Sequence, residues 1–272
     1  MISSFTYLFR DMPRKYRIYH PCECQSGPLR IVDAETLHYL RNVVRIRTGD
    51  QLTLFGKGSM EWIGRVQAMD SEGIVVDIQE TNIPLTEPSV RIHLGVAAGK
   101  GYKLDEVVEM TTALGVTSIL PFIANYSVTE RRNPDRLDRL KKIAISACRQ
   151  SGRVQVPQIE SVSESLQVLL KHQAWPLLLF ADERGGIDLV DFSIQAGAEN
   201  FKEAALFIGP EGGWSDMERE LLKGQGGIPV HLGPRILRME LAASMAVMLL
   251  ERLLGRIHPA KPGCMSPSEA TP

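Results

Sequence analysis

Ala204-Ala205-Leu206-Phe207-Ile208-Gly209-Pro210-Glu211-Gly212-Gly213-Trp214-Ser215-Asp216-Met217-Glu218 carries three structural instructions in one stretch. Ala204 to Gly209 is an uninterrupted apolar run of strand length, as expected of a strand buried on both faces. Gly209 to Gly213 punctuates it, with glycines that let backbone approach a ligand or adopt positive φ and a proline that stiffens the turn. Ser215-Asp216-Met217-Glu218 is a capping box that opens a helix through Leu221 and Leu222. Strand, glycine loop and helix in direct succession form the repeating unit of an α/β fold, and open α/β sheets hold their ligands where such loops leave the carboxyl ends of strands. A tight turn that binds nothing is equally compatible with the loop. It is not G-x-G-x-x-G and lacks the Lys-Ser/Thr of a triphosphate loop, and Gly99-Lys100-Gly101 fails the same test.

Outward from this stretch the same texture repeats. Val90 to Ala97, Thr117 to Ile123, Leu177 to Ala181 and Ile228 to Leu232 are further apolar strand runs. Their alternation with helices predicts a parallel sheet covered on both faces. Leu104, Val107, Val108, Thr111 and Leu114 form one helical stripe with Gly115 placed as a C-terminal cap, and Leu137, Leu140, Ala144 and Ala147 form another. A final helix is expected from about Glu240 to Leu254.

At the head of that helix lies a second loop, Leu232-Gly233-Pro234-Arg235-Ile236-Leu237-Arg238-Met239-Glu240. Ile236 and Leu237, set between charged residues, are suited to wall an aromatic ligand. In the alternative reading Arg235 and Arg238 are solvated cations, and Glu240 is a first-turn carboxylate facing the helix dipole.

Toward the N-terminus the texture changes. Arg17-Ile18-Tyr19, Gln51 to Phe55, Glu61 to Ala68 and Gly73 to Gln79 read as short strands, with Gly49-Asp50, Gly56, Gly58 and Ser71-Glu72-Gly73 as turns. A small β-barrel over 17–81 is expected, followed by a linker at 82–89 that carries Pro84 and Pro88. The remaining boundaries are an N-terminal extension (1–16), the α/β domain (90–258) and a disordered tail (259–272).

The net charge of -1 over 272 residues excludes a strongly basic, non-specific nucleic-acid binder, so any RNA site must be a local patch. Cys22, Cys24, Cys148 and Cys264 offer one C-x-C pair and no second half of a zinc tetrahedron, so no metal is expected. Met1 to Tyr16 mixes charges with apolar residues unlike a secretory signal, and no membrane association and a cytoplasmic location are the expectation.

Taken together, the two loops resemble the 16S ribosomal RNA (uracil-N3)-methyltransferase family of the SPOUT class. The resemblance extends from Arg17 to Leu254. It includes His38-Tyr39-Leu40-Arg41-Asn42-Val43-Val44-Arg45, Gly49-Asp50, Leu114-Gly115-Val116, Ile119-Leu120-Pro121, Gln150-Ser151-Gly152-Arg153 and Val156-Pro157. It implies a PUA-like RNA-binding barrel followed by a methyltransferase domain threaded into a deep trefoil knot. It also implies a homodimer acting on ribosomal RNA or the small subunit. S-adenosylmethionine is the implied cofactor, contacted near Leu179, Phe180, Ile208, Gly209, Gly213, Leu232, Gly233, Ile236 and Leu237. Arg238 is the implied stabiliser of negative charge on the uracil, with Glu240 orienting it or accepting the N3 proton. Arg17, Arg30, Arg41, Arg45 and Arg47 are the expected phosphate contacts, with Tyr19 and Tyr39 available for stacking; a solvated barrel edge explains any one of them as well.

The pattern departs from the resemblance at Glu109, Met110, Ala113, Asn125, Tyr126, Arg149 and Leu241. Most of these replacements change polar groups and spare the strands. They leave two other readings in view: a paralogue that methylates another RNA, and a non-catalytic RNA-binding or ribosome-assembly protein that retains the pocket.

Overall fold

The computed structural model describes residues 15–99, 103–127, 136–171, 173–195 and 201–255. The tail expected over 259–272, and the N-terminal extension up to residue 14, lie outside these. By its internal contacts the chain divides into two units, one formed by 1–87 with 145–156, the other by 88–144 with 157–272.

The first unit is a five-stranded sheet in the order β1-β3-β4-β5-β2, from β1 (Lys15–Tyr19), β2 (Gly27–Ile31), β3 (Gln51–Phe55), β4 (Glu61–Asp70) and β5 (Gly73–Asn82). The pairings are antiparallel except β1 with β3. Alternating residues turn Ile18, Leu52, Leu54, Val66, Ile74, Val76 and Ile78 into one buried cluster, joined by Leu40. Between β2 and β3 stand α1 (Ala34–His38), capped by the Asp33 carboxylate, and a single π turn over Tyr39–Val43. Of two register shifts along β4 and β5, one falls at Gly64, where a Cβ would come within 2.5 Å of the Asp77 carbonyl, and the other between Val66 and Ala68.

Residues 145–156 complete this unit. Cys148 and Val154 form a small core with Phe55, against which Tyr19 and Val156 pack. Burial pushes the Cys148 thiol up to about 11. Arg153 pairs with Glu87 at 2.9 Å, and the other Glu87 oxygen accepts the Val154 and Gln155 N–H groups.

The second unit is a wholly parallel seven-stranded sheet in the order β10-β12-β9-β11-β6-β7-β8. Its members are β6 (Arg91–Ala97), β7 (Ser118–Phe122), β8 (Gln158–Ile159), β9 (Leu178–Ala181), β10 (Ile187–Asp188), β11 (Glu203–Ile208) and β12 (Ile228–His231). The five apolar runs read from the sequence are β6, β7, β9, β11 and β12; β8 and β10 are edge strands too short for periodicity to reveal. Helices α2 (Lys103–Ala113), α5 (Leu189–Gln195) and α7 (Met239–Leu254) pack together, with α7 against β6 and β11. Ala205 and Phe207 face a separate cluster with Leu166 and Leu170 of α4 (Leu166–Leu170) and Leu222 of α6 (Asp216–Gly224). Ala204, Leu206 and Ile208 alternate to the other face. Gly95 permits this packing, since a Cβ there would lie 2.3 Å from the Phe207 ring. The remaining helix, α3 (Arg136–Ser151), contributes its residues from Ile145 onward to the first unit. Because every strand runs the same way, all carboxyl ends lie along one edge, where the loops after β7, β9, β11 and β12 gather.

Candidate functional site

A cavity of about 720 Å³ opens among the loops that follow β9, β11 and β12 and the start of α7. That is ample for a nucleoside-sized ligand. Its apolar wall includes Ile208, Val230, Leu232, Ile236, Leu237 and Ala242. Asp182, Glu183, Asp188 and Glu211 bring carboxylates and Arg184 and Arg235 guanidinium groups, and Glu211 is paired with Lys103. An apolar wall with a few polar and charged groups suits a ligand that joins a flat apolar part to a polar one.

The loop after β11 is shaped by its surroundings. Gly213 has φ +73°, and a Cβ there would stand 2.3 Å from Glu183 Oε1. At Gly209 a Cβ would meet the Trp214 indole at 2.9 Å, and at Gly212 the Tyr126 Cβ at the same distance. Trp214 is buried, donates from Nε1 to the Ala181 carbonyl at 2.7 Å and stacks on Phe122. Behind the loop, Ser215 and Glu218 form the expected capping box. Glu218 Oε1 also accepts the Asn125 N–H at 2.9 Å, and the Asn125 amide donates to Ser215 Oγ at 2.8 Å. The departure at Asn125 therefore joins the loop after β7 to the head of α6.

The third wall, Asp182 to Gly185, was not read from the sequence. Arg219 of α6, 6% exposed, clamps it: Nε and Nη2 donate to the Asp182 carboxylate at 2.9–3.1 Å, Nη2 to Glu183 at 2.8 Å, and Nη1 to the Trp214 carbonyl. Hydrogen bonds from the guanidinium to Asp182 outweigh burial and raise the Arg219 pKa further.

Of the cofactor residues expected from the sequence, Ile208, Gly209, Gly213, Leu232, Gly233, Ile236 and Leu237 line the cavity. Leu179 and Phe180 are wholly buried in β9 and lie outside its lining, which begins one residue later at Ala181. Arg238 occupies the N-cap of α7 in extended conformation, its carbonyl accepting the Ala242 N–H at 2.8 Å and its exposed side chain without a hydrogen-bond partner among the described residues. It makes no ion pair with Glu240, so Glu240 does not orient it here. Glu240 Oε2 is buried with no hydrogen-bond partner among the described residues.

The arginines of the first unit divide. Arg17 is committed internally: it pairs with Glu61, lies over Phe55 at 5.0 Å and donates to the Gly152 and Arg153 carbonyls. Arg30 grips Asp70 through two 2.9 Å bonds, and Arg41 donates to the Asp70 and Gly73 carbonyls. Arg45 and Arg47 are exposed, with no side-chain partner among the described residues, and Arg45 is held at φ +54°. Arg149, which was not singled out as a contact, stacks over Tyr39 at 4.2 Å. Among the described residues, no group of three or more His, Cys, Asp or Glu is arranged to hold a metal, and no helix is long and apolar enough to cross a membrane.

Residues 86–251 match the RNA methyltransferase domain family, and residues 32–79 match the RNA methyltransferase PUA domain family. The Ribosomal RNA small subunit methyltransferase E of Rickettsia conorii is 30% identical over 85% of this chain and 92% of its own length. This chain belongs to the ribosomal RNA small subunit methyltransferase E family. The member from Bacillus subtilis is 28% identical, over 83% of this chain and 90% of its own. Among solved structures, a putative methyltransferase from Legionella pneumophila in complex with S-adenosylmethionine superposes with a TM-score of 0.79 at 30% identity, covering 88% of this chain and 97% of that one. The family member from Neisseria gonorrhoeae, bound to S-adenosylmethionine, gives 0.79 at 28% identity, over 90% and 100%. The family's fold, a PUA domain with a parallel-sheet methyltransferase domain, is the one described above.

Proposed function

We propose that this chain transfers a methyl group from S-adenosylmethionine to N3 of a uridine in small-subunit ribosomal RNA. The observation that carries the reading is the cavity itself, which brings both glycine loops to one edge of the sheet in a family with relatives solved in complex with that cofactor. The residues fit it: Ile208, Leu232, Ile236 and Leu237 offer apolar surface for adenine, and the glycines at 209, 213 and 233 line the cavity, where they would let the ligand approach the backbone. When bound, the cofactor supplies an electrophilic sulfonium methyl.

The chain's own task is to bind uracil in line and manage its N3 proton. Arg238, next to the cavity loop and without an ion-pair partner among the described residues, is free to place its guanidinium against the uracil carbonyl oxygens and stabilise their developing charge. Glu240 Oε2, buried without a hydrogen-bond partner among the described residues, is the candidate acceptor for the proton. Arg45 and Arg47 supply phosphate contacts from the PUA domain. The same reading includes a trefoil-knotted methyltransferase domain, a cytoplasmic location and a homodimer. The exposed Leu241 and Met248 on α7, with Met110 on α2, are the apolar surface a second copy would cover.

The test is methyl transfer from labelled S-adenosylmethionine to small ribosomal subunits lacking the uracil-N3 mark, with mass spectrometry to locate the product. N3-methyluridine from the wild type, and a loss of about 100-fold or more in kcat for Arg238→Ala with cofactor affinity kept, are expected. Cofactor binding without RNA methylation would overturn the assignment.

A further inference from the structure

We infer that Tyr126 is a stacking platform for an unpaired nucleobase of the RNA substrate at the mouth of the cofactor cavity; this rests on the RNA methyltransferase reading above. Tyr126 follows β7 by four residues and so stands at the carboxyl edge of the sheet, with the loops that line the cavity. Its root is seated against the cavity loop, because Gly212 lines the cavity and a Cβ there would lie 2.9 Å from Tyr126 Cβ and 3.6 Å from its Cγ. The residue is nevertheless 55% exposed, and its hydroxyl has no partner among the described residues. A large aromatic presented this way contributes little to the core.

Exposure here is not looseness. The segment is pinned on both sides of the ring: the Asn125 N–H and amide are held by Glu218 and Ser215, Ser127 N–H donates to the Ala124 carbonyl at 2.9 Å, and Ser127 Oγ accepts the Ala124 N–H at 3.1 Å. Those partners belong to the same capping box that terminates the Gly209–Gly213 loop. A solvent-facing aromatic on a fixed backbone suits stacking on a base, since little backbone freedom is lost on binding. Methyl transfer to a ring nitrogen engaged in pairing also requires the base to leave its stack, and a protein ring beside the cofactor compensates part of that loss. Exposed Ile236, on the other glycine loop, gives the cavity lining a further apolar surface.

The experiment uses the full chain with Tyr126→Ala, Tyr126→Phe and Tyr126→Trp. Tyr126→Ala should lower kcat/KM for unmethylated small subunits by about 10- to 100-fold. Its affinity for S-adenosylmethionine and its thermal midpoint should stay at wild-type values, while Phe and Trp retain most of the activity. In Tyr126→Trp, the added tryptophan fluorescence should be quenched when a single-stranded uridine-containing oligoribonucleotide is titrated in with S-adenosylhomocysteine present, with the wild type as the baseline. Unchanged kcat/KM for Tyr126→Ala, or absence of quenching, overturns the stacking role. Failure of the wild type to methylate any subunit would instead overturn the proposed function, and the fluorescence titration then decides the stacking separately.

Discussion

The two glycine loops of the cofactor cavity leave strands that both flank β9, yet they need glycine for different reasons. Around Gly209, Gly212 and Gly213 the space a side chain would take is already filled, by Trp214, Tyr126 and Glu183. Around Gly233 nothing lies within 4 Å of where a Cβ would stand, and only its φ of +93° asks for glycine. The first loop is clamped from behind by Arg219, whereas the second presents Pro234, Arg235 and Ile236 to solvent, Ile236 at 91%. The difference teaches a division of labour. One loop is finished before any ligand arrives, and the other holds apolar surface that only a ligand covers.

The most severe way to break that contrast is Arg219→Met. It leaves the Asp182 carboxylate buried without its cation, and about 3–5 kcal/mol of stability should go. A fall in the thermal midpoint measured by calorimetry checks this, and a loss under about 1 kcal/mol would mean that Arg219 does not hold the first loop.

Next in size is the pair Gly213→Ala and Gly233→Ala. Left-handed backbone costs each of them about 1–2 kcal/mol, but only at Gly213 does the new methyl collide with a carboxylate. Titration calorimetry with S-adenosylmethionine should find Gly213→Ala weaker than Gly233→Ala by about tenfold or more. Equal losses would erase the distinction between crowding and chirality.

The smallest effect is expected from Ile236→Ser, which should leave stability within about 0.5 kcal/mol because the side chain is already in water. Cofactor affinity should still fall by about 1–2 kcal/mol, the value of the surface the ligand covers. A variant that binds as tightly as the wild type would remove Ile236 from the wall.

What the sequence made legible was local. The run from Ala204 to Glu218 names its own strand, turn and helix cap because each signal sits within a few residues of its partner, and the capping box formed as read. The Asp182-Glu183-Arg184-Gly185 wall was invisible, since it spells an ordinary polar turn and acquires its role from Arg219, 37 residues away. Arg17 has the same character: its residue type suggested phosphate, but Glu61, 44 residues on, and two carbonyls of residues 152 and 153 occupy it. The strand β2 escaped notice because Gly27-Pro28 reads as a turn, while its pairing with β5 is set by tertiary register. Charge partners and edge pairings distant in sequence leave no periodic trace.

The first unit is assembled from two pieces of chain, and this has a consequence for the order in which the protein takes shape during synthesis. Its sheet leaves the ribosome early, but Phe55 and Arg17 await their partners among residues 148 to 154, which emerge only after β6, α2 and β7 have been made. At about 5–20 residues per second the nascent sheet spends several seconds with that flank uncovered. The domain begun first is thus interrupted before it is completed, and a fragment ending at residue 87 should inherit the same unfinished side.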